Sequence, residues 1–149
     1  MIFCDYKDFP KKQGRLLGLD WGMRRCGVAV SDEGRNMVFV RPQINVKSQN
    51  ELVESVLGII ATDSITGIVL GLPLFADGSD SDTTRAVREF ADMLAKQTDV
   101  PILFMEENLT STDAQQEIGR PNIKKIKQEL DSLSARIILE NAICVLKRN

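Results

Sequence analysis

Three short apolar runs follow one another near the start of the chain with only turn-length gaps between them. Every later apolar run is set off by an amphipathic, helix-length segment. Few folds accept that order. Residues 15–19 (RLLGL) and 26–31 (CGVAVS) are joined through Asp20 to Arg25, and DEGR at 32–35 turns the second run into a third at 37–40. Short aliphatic runs bounded by Gly, Asp and Asn are strand and hairpin signals, so this part reads as an antiparallel meander.

After the meander, SQNE at 48–51 is a capping box, which opens a helix to about residue 61. Residues 67–70 form a short, fully apolar strand, as expected inside a sheet covered on both faces. GLPLFADGSDSD is a loop with Asp77-Gly78 as its turn, and a helix runs over about 83–96. Residues 101–105 (PILFM) are another buried strand. TSTD at 110–113 caps a short helix ending near Gly119, and RPN breaks the chain before a last helix over about 124–146. The expected class is α/β, a mixed sheet of a three-strand antiparallel meander plus parallel strands with helices on both faces.

With 149 residues, 43% of them hydrophobic and 27% charged, the chain suits a single domain. A domain of this size buries roughly 70% of its unfolded surface. Residues 1–14 read as an N-terminal extension and about 15–147 as the core. No apolar run approaches the ~20 residues of a membrane span, and the N-terminus is too charged for a secretion signal. A cytoplasmic protein without a membrane partner is expected. Cys4, Cys26 and Cys144 are odd in number, widely spread and without CxxC spacing, and read as reduced thiols. The absence of histidine excludes a Ser/His/Asp triad, a Cys/His pair and any His-ligated zinc.

A net charge of −2 runs against nucleic acid on balance, because neutralising phosphate needs Lys and Arg. The cations are nevertheless clustered, at Lys11, Lys12 and Arg15, at Arg24 and Arg25, at Arg85 and Arg88 on one helix, and at Lys124, Lys125 and Lys127. For any one cluster a solvated face is the simpler reading.

Acidic residues occupy more telling positions. Asp20 ends the first strand, Glu106 and Glu107 end PILFM, and parallel strands would bring these ends to one edge, where ligands of open α/β sheets gather. Strand alternation sends Glu106 and Glu107 to opposite faces without choosing between them. At ~100° per residue, Ala135, Ile138 and Ala142 fall within about 40° of Asp131, which places it in the apolar stripe of the last helix. A buried carboxylate there needs a cation, a basic partner, or the N-cap of a separate helix beginning at DSLSARIILE.

GLDWGMRRCGVAVSD, IVLGLPLFADGS, MEENLTSTDA and DSLSARIILE together resemble the successive motifs of the YqgF family, also called RuvX, over residues 16–146. These are small bacterial proteins with an RNase H-like fold, described as pre-16S rRNA processing nucleases and earlier as Holliday junction resolvases. The resemblance implies an acidic site of Asp20, Glu107 and Asp131, and it selects Glu107 over Glu106. Asn108 stands where the family usually has arginine and Phe75 where it often has asparagine, departures that bear on substrate contacts rather than metal.

Hydrolysis of a phosphodiester without histidine calls for cations that activate water and neutralise developing charge. Oxygen-only ligands suit Mg²⁺ or Mn²⁺, with two ions expected. Asp20, Glu107 and Asp131 are the expected catalytic metal ligands. Arg24, Arg25, Lys124, Lys125 and Lys127 lie beside them in sequence as phosphate contacts, and Arg85 and Arg88 sit one turn into the helix after GSDSDTT. The expected substrate is structured RNA, precursor 16S rRNA above all, with branched DNA as the alternative and the protein a monomer or homodimer. The opening motif also resembles the first phosphate loop of actin-like kinases, but those need two lobes. A binding module without turnover is the other rival; three acids facing a phosphate backbone would only repel it unless a cation intervenes.

Overall fold

The computed structural model describes residues 1–10, 13–75, 77–108 and 123–148, with the side chains at 108 and 123–132 outside the description. In chain order the elements are β1 (Ile2–Phe3), β2 (Arg15–Asp20), β3 (Arg25–Ser31), β4 (Val38–Asn45), α1 (Gln49–Asp63), β5 (Ile65–Leu74), α2 (Asp82–Ala95), β6 (Ile102–Asn108) and α3 (Ile123–Lys147). The strands form one six-stranded sheet in the order β1-β6-β5-β2-β3-β4. β2 to β4 are the expected antiparallel meander, whereas β5 is parallel to β2, β6 to β5 and β1 to β6.

Alternation along the strands sorts the side chains into two cores. Leu17, Leu19, Val28, Val30, Ile68, Leu70, Ile102 and Phe104 pack against Leu52, Val53 and Val56 of α1 and Val87, Phe90 and Leu94 of α2. On the other face Leu16, Ala29, Val69 and Leu103 meet Ala135, Ile138, Leu139 and Ala142 of α3. Each fully buried Leu, Ile or Val contributes about 1.5–3 kcal/mol. The helical stripe is therefore buried as its period implies, while Arg136 and Glu140 on the opposite side pair in solvent.

Ser48 caps α1 by accepting from the Glu51 amide at 3.2 Å. Ser81 caps α2 in a reciprocal capping box with Thr84, whose hydroxyl also donates to the Pro73 carbonyl and so ties the helix start to the end of β5.

The structure departs from the sequence reading at several points. Within the stretch read as an N-terminal extension, Ile2 and Phe3 pair with Ile102 and Leu103, and Phe9 is 2% exposed in the α3-side core. β5 continues four residues past its expected end because β6 offers it a partner through Leu74↔Asn108, including Pro73. β4 runs on through Pro42, which an edge strand tolerates because its outer N–H groups are unpaired. The last helix does run as expected: α3 is continuous from Ile123, so Asp131 is its ninth residue and the alternative of a separate helix capped by Asp131 falls away. The short helix expected over 110–119 lies outside the described residues. Among the described residues no helix is long and apolar enough to cross a membrane.

Candidate active site

The carboxyl ends of β2, β5 and β6 lie side by side, with β5 between the other two. Asp20 is opposite Gly27 of β3, and one residue before it Leu19 pairs with Leu70 of β5. Alternation places Asp20 in phase with Leu16 and Gly18, on the face covered by α3. In β6, Glu107 is in phase with Leu103 and Met105 on that same face, while Glu106 is in phase with Phe104 and faces the other way. The two carboxylates thus flank β5 at one edge and on one face.

What separates them is a glycine. A Cβ built on Gly71 would lie 3.1 Å from Glu107 Oε2 and 2.6 Å from Ile138 Cδ1, so the missing side chain opens the space in which the Glu107 carboxylate sits. Glu107 is half-buried, and among the described residues it has no hydrogen-bond or ion-pair partner. Burial pushes its pKa above the ordinary carboxylate range. An acid held in this way is suited to a cation: the donors are oxygens alone, and the cradle over Gly71 is the kind of space a Cβ would fill.

Helix α3 reaches this edge by lying directly on the sheet. At Gly18 a Cβ would meet Leu139 Cβ at 2.8 Å and the Ala135 carbonyl oxygen at 3.0 Å. The far end of the helix is fixed where β2 begins, since Lys147 Nζ donates to Asn36 Oδ1 at 2.6 Å and the Gly14 amide to the Glu33 carbonyl at 2.9 Å in the same turn region. α3 therefore runs antiparallel to β2. Its backbone at Asp131, one turn before Ala135 and about 6 Å further along, continues toward the end of β2 where Asp20 stands. The Asp131 side chain lies outside the described residues, and among those described no three acidic or thiol groups cluster as a metal site.

Most of the chain has recognisable relatives in sequence. A family model described as "RuvX: Holliday junction resolvase" matches residues 14–144. The chain belongs to the RuvX family. It is 37% identical over 128 residues to a "Putative pre-16S rRNA nuclease" of Maridesulfovibrio salexigens, covering 85% of this chain and 95% of that protein. It is 38% identical over 129 residues to a protein of the same name in Nitratidesulfovibrio vulgaris, covering 85% and 91%. Among solved structures, it superimposes on T. thermophilus RuvC in complex with Holliday junction substrate with a TM-score of 0.52 at 12% identity, covering 87% and 92% of the two chains. That likeness establishes the RNase H-like fold.

In this RuvX-family chain the cations named from sequence are distributed unevenly. Arg24 lies in the loop that follows Asp20, Arg25 opens β3 in phase with Ala29, and both are exposed with no ion pair among the described residues. Arg85 instead pairs with Asp82, and Arg88 pairs with Asp80 at 3.2 Å while stacking 5.7 Å above the Phe104 ring, on the face away from Asp20. The side chains of Lys124, Lys125 and Lys127 lie outside the described residues. Phe75 is exposed at the head of the loop after β5.

Two contributors escaped the sequence reading. Gly71 was visible only as a glycine interrupting IVLGLPL, a hint of close approach. Gln49 carried no signal beyond its place in SQNE. Its Oε1 accepts from Trp21 Nε1 at 3.1 Å and its Nε2 donates to the Ala86 carbonyl at 3.4 Å, linking the residue after Asp20 to both helices of the other face.

Proposed function

We propose that this chain is a divalent-metal-dependent nuclease that hydrolyses phosphodiester bonds in structured RNA, with precursor 16S rRNA as substrate and the cytoplasm as its place of action. The observation that carries this reading is the placement of Asp20 and Glu107 on one face of one edge, either side of Gly71. Together with Asp131 they would hold Mg²⁺ or Mn²⁺, one ion or two. When bound, such ions neutralise charge on the scissile phosphate and favour ionisation of the attacking water.

The chain's own residues supply the rest. Arg24 and Arg25, which make no ion pair among the described residues, bind phosphates next to Asp20 and orient the backbone. The Trp21–Gln49 bond holds the loop that carries Arg24 and leads into Arg25. Arg85 and Arg88 are a weaker substrate surface, because each must first release Asp82 or Asp80. Relatives named as pre-16S rRNA nucleases favour RNA, while the family description favours a four-way DNA junction as the second reading.

The test is cleavage of a precursor 16S rRNA fragment and of a four-way junction, each with and without Mg²⁺ or Mn²⁺. Metal-dependent RNA cleavage that falls on the order of 10²-fold or more in Asp20→Asn supports the proposal, the scale of losing one group that stabilises developing charge. Cleavage of the junction alone replaces the substrate. RNA binding without cleavage of either overturns the enzyme in favour of a binding module.

A further inference from the structure

A second recessed surface lies at the other end of β2, about 17 Å along the strand from Asp20. It is a cavity of about 470 Å³ lined by Arg15, Val30, Ser31, Asp32, Phe39, Val40 and Arg41. That volume falls within the ≈ 300–1,000 Å³ range of small-ligand sites. It lies toward the edge of the sheet, where the outer strand β4 has mostly exposed side chains.

The lining is chemically specific. Phe39 is 46% exposed, in a chain with only six phenylalanines, one tryptophan and one tyrosine. Arg15 makes no ion pair among the described residues. Arg41 forms an ion pair with Asp63 of α1 at 4.0 Å, so a bound phosphate would share its guanidinium with that carboxylate. Asp32 uses a single oxygen, Oδ1, to accept from the Asn36 amide at 2.7 Å and the Met37 amide at 2.8 Å. Those two bonds fix the carboxylate at the cavity wall. A stacking ring, two guanidinium groups and an anchored acceptor call for a ligand with an aromatic plane, an anionic group and hydroxyl donors. A nucleotide has all three.

We propose that the cavity of Arg15, Asp32, Phe39 and Arg41 binds one nucleotide unit, with the base on Phe39, the phosphate on Arg15 and Arg41, and ribose hydroxyls donating to Asp32. The unit can belong to a single-stranded segment or be a free mononucleotide. In the first case the cavity is an anchor for a strand flanking the cleaved site, and it offsets the chain's acidic balance.

Binding is read on the full chain in EDTA, so that neither cleavage nor a cation at the carboxylate edge contributes. The probes are a short labelled oligouridylate, followed by fluorescence anisotropy, and uridine 5′-monophosphate, followed by calorimetry. Phe39→Ala and Arg15→Glu are each expected to weaken oligonucleotide binding about tenfold or more, the scale of one base–aromatic stack. Phe39→Tyr keeps the ring and binds like wild type. Mononucleotide binding with the same pattern of losses identifies a free nucleotide as sufficient; binding of the strand alone identifies the polymer. The proposal is overturned if wild type binds neither probe, if Phe39→Ala and Arg15→Glu bind as tightly as wild type, or if inorganic phosphate displaces the probe as well as the mononucleotide does. Loss of the nuclease reading leaves all of these outcomes readable.

Discussion

The Glu107 carboxylate lies against the bare Cα of Gly71, which belongs to the strand between Asp20 and Glu107. Glycine is therefore required there by space rather than by backbone conformation. In Gly71→Ala, Ile138 can swing its terminal methyl away, but Glu107 must move by some tenths of an ångström. The variant should lose about 1–3 kcal/mol, the usual cost of overpacking. It should also need more Mg²⁺ for half-maximal cleavage, which a metal titration of the activity measures.

Gly18→Ala tests the seat of α3. Its Cβ would press on Leu139 Cβ and on the Ala135 backbone, neither of which is the free end of a side chain. The helix must lift, carrying position 131 with it. Denaturant unfolding should show a loss at least as large as that of Gly71→Ala, and the melting temperature should no longer rise on adding Mg²⁺.

The pH dependence of stability separates two carboxylates of opposite sign. Burial raises the pKa of Glu107 above its ordinary 4.5, so in metal-free protein the folded state keeps that proton longer than the unfolded chain. Its contribution falls as pH rises from about that value through the folded one. Asp32 behaves the other way: the Met37 and Asn36 amides lower its pKa below 3.8, giving stability above that value that is lost as pH falls. Glu107→Gln should raise the neutral-pH melting temperature in EDTA and abolish further stabilisation by Mg²⁺. Melting curves from acid to neutral pH check both arms.

Gln49 acts through Trp21. Gln49→Leu removes two hydrogen bonds, each worth about 0.5–1.5 kcal/mol. If the residue only stabilised the fold, the Mg²⁺ dependence of cleavage would not change. As a positioning residue it should shift that dependence to higher concentration, and Gln49→Glu, which still accepts from the indole, should restore most of it.

The meander, the alternation of helices and strands and the buried stripe of α3 were legible because each rests on a local period of apolar residues. The face of Glu107 was not, since alternation fixes only that it opposes Glu106; its phase with Leu103 and Met105 acquires meaning once α3 covers that face. β1 was hidden because two residues carry no period and depend on β6 for their pairing. Continuous helix through Asp131 removes the N-cap of a separate helix, one of the alternatives the sequence left open for that residue. Gly71 and Gln49 matter through residues far away in the chain, which no local pattern records.

Calorimetric titration of Mn²⁺ into the wild type, Asp20→Asn and Glu107→Gln decides whether Asp20 and Glu107 share a cation. Saturable binding to the wild type and at least about 10-fold weaker binding to each variant, with circular dichroism unchanged, is the expected result. Equal Mn²⁺ binding by all three proteins would contradict it.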